Sequence, residues 1–168
     1  TEKEEYDAEI TFISEEFIKA LSEFKKKEGI SETKNETDKL TLVTSIANIS
    51  LLGNKVQITY DPTEIEIDEN DFIEQINEKL KWVSENKNRI TDKIIKNLLP
   101  LKNEDWLDEN ETKLSEKEFI NRIKLTSIIF FDDLSSELEY DDGDLFGRHQ
   151  IVVSLSKENK LTDADIQG

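Results

Sequence analysis

Apolar and polar positions alternate along this chain with two periods, and the change from one to the other outlines the fold. Phe17, Leu21 and Phe24 recur at helical spacing, with Ile18 and Ala20 beside them. Ser14 caps this stretch, Glu15 and Glu16 favour its first turn, and Lys25 to Lys27 followed by Gly29 suit its end. Thr1 to Glu5 reads as a frayed start, and Ser31 to Asp38 as a polar loop. Thr41 to Leu52 is rich in β-branched residues. Val56, Ile58 and Tyr60 then alternate with Gln57 and Thr59, so the pair predicts a β-hairpin turning at Gly53-Asn54 and ending at Asp61-Pro62.

A helical period returns after Asp71. Phe72, Ile73, Ile76, Leu80 and Val83 form one stripe with Trp82 alongside, and Ile90, Ile94, Ile95, Leu98 and Leu99 form a second. The polar run Ser84 to Asn88 separates the two, and Pro100 is expected to stop the second. Asn103 to Thr112 predicts a loop whose Trp106 packs down onto the core. Ser115 and Glu118 then have capping-box spacing, flanked by Leu114 and Phe119 as a hydrophobic staple, so a short helix begins at Glu116 and buries Phe119, Ile120 and Ile123.

From Leu125 onward the period is that of strands. The run Ile128 to Phe131 suits a central strand covered on both faces. Leu134, Leu138 and Tyr140 alternate with Glu137 and Glu139 in a strand with one wet face. After the turn Asp141-Asp142-Gly143-Asp144, His149, Ile151, Val153 and Leu155 point one way, and Gln150, Ser154 and Ser156 the other, with Val152 the exception. Leu161, Ala164 and Ile166 give a weak last strand. The expected architecture is a single α+β domain over residues 1–168. In it, helices pack on an antiparallel β-sheet that ends in a C-terminal β-meander, with residues 1–38 an N-terminal helix and loop and 39–168 the core.

Composition narrows the function classes more than it names one. The chain has 168 residues, with 39 acids against 22 bases and a net charge of -17. Such a surface repels nucleic-acid phosphates and anionic membranes, and it attracts basic partners. There is no cysteine, hence no disulfide and no thiolate metal site, in keeping with a reducing compartment; with no signal-peptide pattern at the start, the cytoplasm is the expected location. No apolar run reaches the roughly 18 residues of a membrane helix.

Catalytic signals are sparse. His149 is the sole histidine, and neither a Gly-x-Ser-x-Gly elbow nor a glycine-rich phosphate loop is present. Asp141, Asp142 and Asp144 lack the spacing of an EF-hand. No cofactor, metal or catalytic residue is therefore expected. Two stretches carry acids with no Lys or Arg: Asp61 to Glu78 with eight, including Asp68, Glu69 and Asp71, and Leu125 to Gly147 with seven, namely Asp132, Asp133, Glu137, Glu139, Asp141, Asp142 and Asp144. Carboxylates displayed on a rigid sheet suit a basic cleft on a partner, while Trp106, Phe146 and His149 read as structural. A small hydrolase or metal-dependent enzyme centred on Asp144 and His149, and a regulatory scaffold domain, are the alternatives.

The order Leu98-Leu-Pro-Leu-Lys-Asn103-Glu-Asp-Trp106, Leu114-Ser-Glu-Lys-Glu-Phe119, Asp144-Leu-Phe146-Gly-Arg-His149-Gln-Ile151-Val-Val153 and Ala164-Asp-Ile166-Gln-Gly168 resembles a bacterial domain-of-unknown-function family, number twenty-two sixty-two. The resemblance spans roughly Ile49 to Gly168. It implies an intracellular bacterial protein in which Trp106, Asp144, Phe146, His149 and Gly168 match recurring positions. It also implies kinship with small acidic immunity proteins encoded beside polymorphic toxins, which bind a cognate toxin without catalysis.

Overall fold

The computed structural model describes residues 19–20 and 45–168. The readings for the frayed start, most of the first helix and the loop at 31–38 lie outside those residues; Lys19 and Ala20 are helical, and Ala20 packs against the core. The elements run β1 (Ser45–Leu51), β2 (Asn54–Tyr60), α1 (Glu69–Glu85), α2 (Lys87–Asp105), α3 (Glu116–Arg122), β3 (Lys124–Phe130), β4 (Ser136–Asp141), β5 (Gln150–Leu155) and β6 (Leu161–Gln167). The fold class is α+β, and the six strands form one sheet in sequence order, β1-β2-β3-β4-β5-β6.

The sheet is mixed rather than antiparallel. β2 and β3 run parallel, with Ile58 opposite Ile128 and Tyr60 opposite Phe130, while every other neighbouring pair is antiparallel. The physical reason is the connection. Parallel neighbours need a long crossover, and α1 to α3 supply it, whereas β3 to β6 follow one another through short turns as the expected meander.

One register row shows how alternation becomes a core: Ala47, Ile58, Ile128, Leu138, Val153 and Ala164 lie side by side across all six strands, each buried. Against this face pack Phe72, Ile76, Leu80 and Val83 of α1, Ile90, Ile94 and Leu98 of α2, and Phe119 of α3. β3 is central in the sheet but is not buried on both sides. Leu125, Ile128 and Phe130 face the core, Ile129 is half-buried, and Phe131 is 39% exposed.

The β1–β2 hairpin forms, but its turn is centred one residue earlier than Gly53-Asn54. Leu52 and Gly53 both take positive φ, 52° and 75°, as a type I′ turn requires, and Leu51 pairs with Asn54. Asn54 closes the turn by donating from its side chain to the Leu52 carbonyl, and Leu52 packs on the core, which offsets its unfavourable backbone.

α1 starts at an Asp68 cap whose carboxylate accepts from the Asn70 amide at 2.9 Å, and Asn86 ends it. α2 departs from expectation by running through Pro100 to Asp105. Pro100 and Lys96 are both exposed, so the carbonyl deprived of a donor faces water and the interruption is tolerated. The end of α2 is also anchored. Buried Lys102 donates to the Trp106 carbonyl and to Glu111, each at 2.6 Å, and Asn103 forms a two-way bridge with the Leu114 backbone. The capping box is as expected: Ser115 accepts from the Glu118 amide and donates from its own amide to the Glu118 carboxylate.

Candidate functional site

Strand order redistributes the acidic residues. β2 and β3 end side by side, so the loop at 61–68 and the Asp132-Asp133 turn share one end of the sheet. At the other end, Asp141 closes β4 and Asp144 follows it. Glu137 and Glu139 project from the face opposite the core. The second acid-only stretch is therefore three separate places, one of which adjoins the first stretch.

At the first end, Asp68 caps α1, Asp71 is exposed in its first turn, and Glu69 accepts a 2.8 Å hydrogen bond from the Tyr60 hydroxyl. Asp132 and Asp133 are exposed. Asp133 accepts from the Ser135 hydroxyl at 2.5 Å and the Ser135 amide at 2.8 Å, and these bonds, with a smaller pull from Lys157, hold its carboxyl below the usual range. Two large apolar side chains are exposed in the same region, Ile67 at 45% and Phe131 at 39%.

The Asp133 contacts give a pH prediction. A carboxyl depressed in the folded state adds stability above its ordinary value of 3.8, and that contribution is lost as pH falls through the lower folded value. Ser135→Ala should move the Asp133 midpoint upward in a carboxyl NMR titration; an unmoved midpoint would show that Ser135 is not the cause.

On the opposite face, Glu137 shares a register row with Ser154 and Asp163, and Glu139 shares the next with Val152 and Asp165. Adjacent strands are about 4.8 Å apart, so each pair of acids flanks β5 at roughly 10 Å. Glu139 also accepts a hydrogen bond from the Ser127 hydroxyl. Asp163 and Asp165 were not among the residues expected from sequence. Alternation with Ala164 and Ile166 was the available signal, but only the strand order sets them beside Glu137 and Glu139.

The far end, residues 141–149, is a built corner. The Asp142 carboxylate was expected to face outward with its neighbours. Instead it is 4% exposed and accepts from the Phe146 amide at 2.8 Å and the Asp144 amide at 3.0 Å, because a tight turn leaves those amides without strand partners. Asp141 accepts from the Gly143 amide, and Arg122 donates to the Gly143 carbonyl at 2.7 Å. Gly143 has φ 58° and sits against the Arg122 backbone, where a Cβ would come within 2.3 Å of the carbonyl oxygen. Asp144 is exposed and lies 3.9 Å from an exposed Arg148.

His149 precedes β5 rather than lying on it, and is half-buried. Its Nδ1 bonds the Phe146 carbonyl, and its ring meets Trp106 edge-on at 5.4 Å. Trp106 meets Phe146 at 5.7 Å, Phe146 meets Phe119 at 6.2 Å, and Gly168 is close enough that a Cβ would collide with the imidazole. A depression of about 460 Å³ beside this corner is lined by Asp141, Asp144, Arg148 and His149 among others. Among the described residues, no three His, Cys, Asp or Glu side chains are placed to hold a metal ion.

The model of a family described as uncharacterized protein conserved in bacteria (DUF2262) matches residues 42–166. The chain belongs to that family. The match runs from ahead of β1 into β6, so the DUF2262 region contains β1 to β5, most of β6 and helices α1 to α3. No curated protein and no solved structure matches the chain. None of the helices described in this DUF2262 protein is long and apolar enough to cross a membrane.

Two buried lysines of the DUF2262 region were also not foreseen, because helical charge is ordinarily solvated. Lys79 of α1 donates to the Ser156 and Lys157 carbonyls and to Asn159 Oδ1, clasping the β5–β6 turn, and burial draws its pKa down. Lys102 has the corresponding role at the end of α2.

Proposed function

We propose that this protein is a bacterial immunity protein, a binding module that neutralises a cognate secreted toxin by covering a basic surface with its own acidic one. The observation that carries the reading is the convergence at one end of the sheet. The 61–68 loop, the Asp132-Asp133 turn and the row holding Glu137 and Asp163 come together there beside exposed Ile67 and Phe131. Interfaces combine apolar anchors with a polar rim, and charge of one sign speeds encounter with the opposite sign. The net charge of -17 supports the same reading and opposes nucleic-acid or anionic-membrane partners.

An enzyme centred on Asp144 and His149 has less support. Asp144 stands in solvent near Arg148, and His149 is held by the Phe146 carbonyl and Trp106. The test is association kinetics against the product of the neighbouring gene. Glu137→Lys with Asp163→Lys should slow association about ten-fold or more at low salt with the fold intact. Phe131→Ala should speed dissociation. Unchanged rates in both variants, or no protection of cells from the toxin, would overturn the proposal.

A further inference from the structure

β6 is an edge strand. It pairs with β5 on one side, and among the described residues no strand pairs with its other side. In such a strand every second residue turns both its amide and its carbonyl away from its neighbour, and a row of these groups invites another strand. Here the chain occupies the row itself. The Ala164 amide donates to the Asp163 carboxylate at 2.9 Å, and the Ile166 amide donates to the Asp165 carboxylate at 2.8 Å. Asn97 of α2 donates from its side chain to the Ala164 carbonyl at 3.1 Å. Ala164 and Ile166 are thus the outward-turned residues, and three of their four backbone polar groups already have partners.

The sequence of β6, Leu-Thr-Asp-Ala-Asp-Ile-Gln, fits this arrangement. Aspartate is depleted in strands, yet two stand in this one, each directly before an outward amide. Their side chains are exposed and on the face opposite Ala164, so each carboxylate can lean over the edge without leaving water. A bulge between Ser154 and Leu155 shifts the register where β6 begins, and bulges turn an edge out of line for a further strand.

We infer that Asp163, Asp165 and Asn97 close the β6 edge to strand addition, and that the strand they exclude is β6 of a second copy of this chain. Symmetry selects that occupant. Two copies of β6 can pair antiparallel about Ala164, which sets Thr162 opposite Ile166 and Asp163 opposite Asp165. Pairing would strip the Ala164 and Ile166 amides of their present acceptors and bring aspartates together across the new ladder, and both changes oppose it. Asp163 also stands in the proposed partner surface, where its charge serves. At the edge it is the acceptor oxygen that serves, so the two roles separate when the charge is removed and the oxygen kept.

The experiment compares two double variants of the full chain by sedimentation and by amide hydrogen exchange. Asp163→Asn with Asp165→Asn keeps an acceptor oxygen at each position and removes the charge. Asp163→Leu with Asp165→Leu has nearly the same shape and no acceptor. Between about 10 and 500 μM the parent and the Asn pair should remain monomers, while the Leu pair should dimerise with a Kd on the order of 100 μM. In dilute solution the Leu pair should exchange the Ala164 and Ile166 amides about ten-fold faster than the parent, and the Asn pair should stay close to the parent. Single variants separate the two caps: Asp163→Leu should speed Ala164 alone, and Asp165→Leu should speed Ile166 alone. Gln167→Leu, exposed on the same face of β6 and capping no outward amide, should stay monomeric. The inference is overturned by a parent that dimerises, a Leu pair that stays monomeric, an Asn pair or Gln167→Leu that dimerises as the Leu pair does, or exchange at Ala164 and Ile166 that none of the Leu variants alters.

Discussion

Replacing Phe146 with alanine should lower the unfolding free energy by about 3–5 kcal/mol, the range for removing a large aromatic side chain from a packed core. Phe146 is fully buried, and its ring stands between Phe119 and Trp106 in edge-on contacts at 6.2 and 5.7 Å. Its ring thus links Phe119 of α3 to Trp106 beside the corner that leads into β5. Its backbone is equally engaged: the amide donates to Asp142, and the carbonyl receives His149 Nδ1 and the His149 amide. The cavity left by alanine would therefore lie beneath the 141–149 corner, and relaxation into it would disturb those bonds. Denaturant unfolding with the slope checked for two-state behaviour measures the effect. A loss below about 1 kcal/mol would mean that the cluster is not a unit of stability.

Asp142→Ala should cost about 2–4 kcal/mol, while Asp141→Ala and Asp144→Ala remain within about 1 kcal/mol of the parent. The three aspartates are neighbours in sequence and differ in what their carboxylates meet. Asp142 is buried and accepts from two backbone amides, and truncation leaves those amides without acceptors in a water-poor turn. Asp141 is exposed and serves only the Gly143 amide, and Asp144 is exposed beside Arg148. Thermal and denaturant unfolding of the three variants side by side checks the order. If Asp142→Ala matched the other two, the buried carboxylate would have no structural role. The result also bears on partner binding, because a change at Asp142 would act through the fold, whereas Glu137 and Asp163 can be altered on the surface.

Much of the fold was legible because its signals are local. The capping box at Ser115 and Glu118 involves residues three apart, the apolar stripes of α1 and α2 repeat within a few turns, and the meander from β3 to β6 needs only short turns between alternating segments. Pro100 misled because the rule against internal proline omits what happens when the orphaned carbonyl faces water and buried Lys102 secures the following turn. The β1–β2 turn slipped by one residue because Gly53-Asn54 and Leu52-Gly53 both contain a residue suited to positive φ, and the packing of Leu52 selected the second.

The candidate site was less legible, since charge along a chain does not say which carboxylates share a surface. Acid-rich stretches were evident, and Trp106, Phe146 and His149 were each read as structural, but their meeting in one cluster came only from the structure. The inward turn of Asp142, the burial of Lys79 and Lys102, and the alignment of Glu137 with Asp163 were not. By itself the sequence determined the helices, the alternation of the strands and the excess of negative charge, because each depends on residues close together in the chain. The tertiary structure alone decided the parallel pairing of β2 with β3, and with it which acids stand together at one end of the sheet. That pairing joins residues about seventy apart across a helical crossover, and no local period encodes a contact at such a distance.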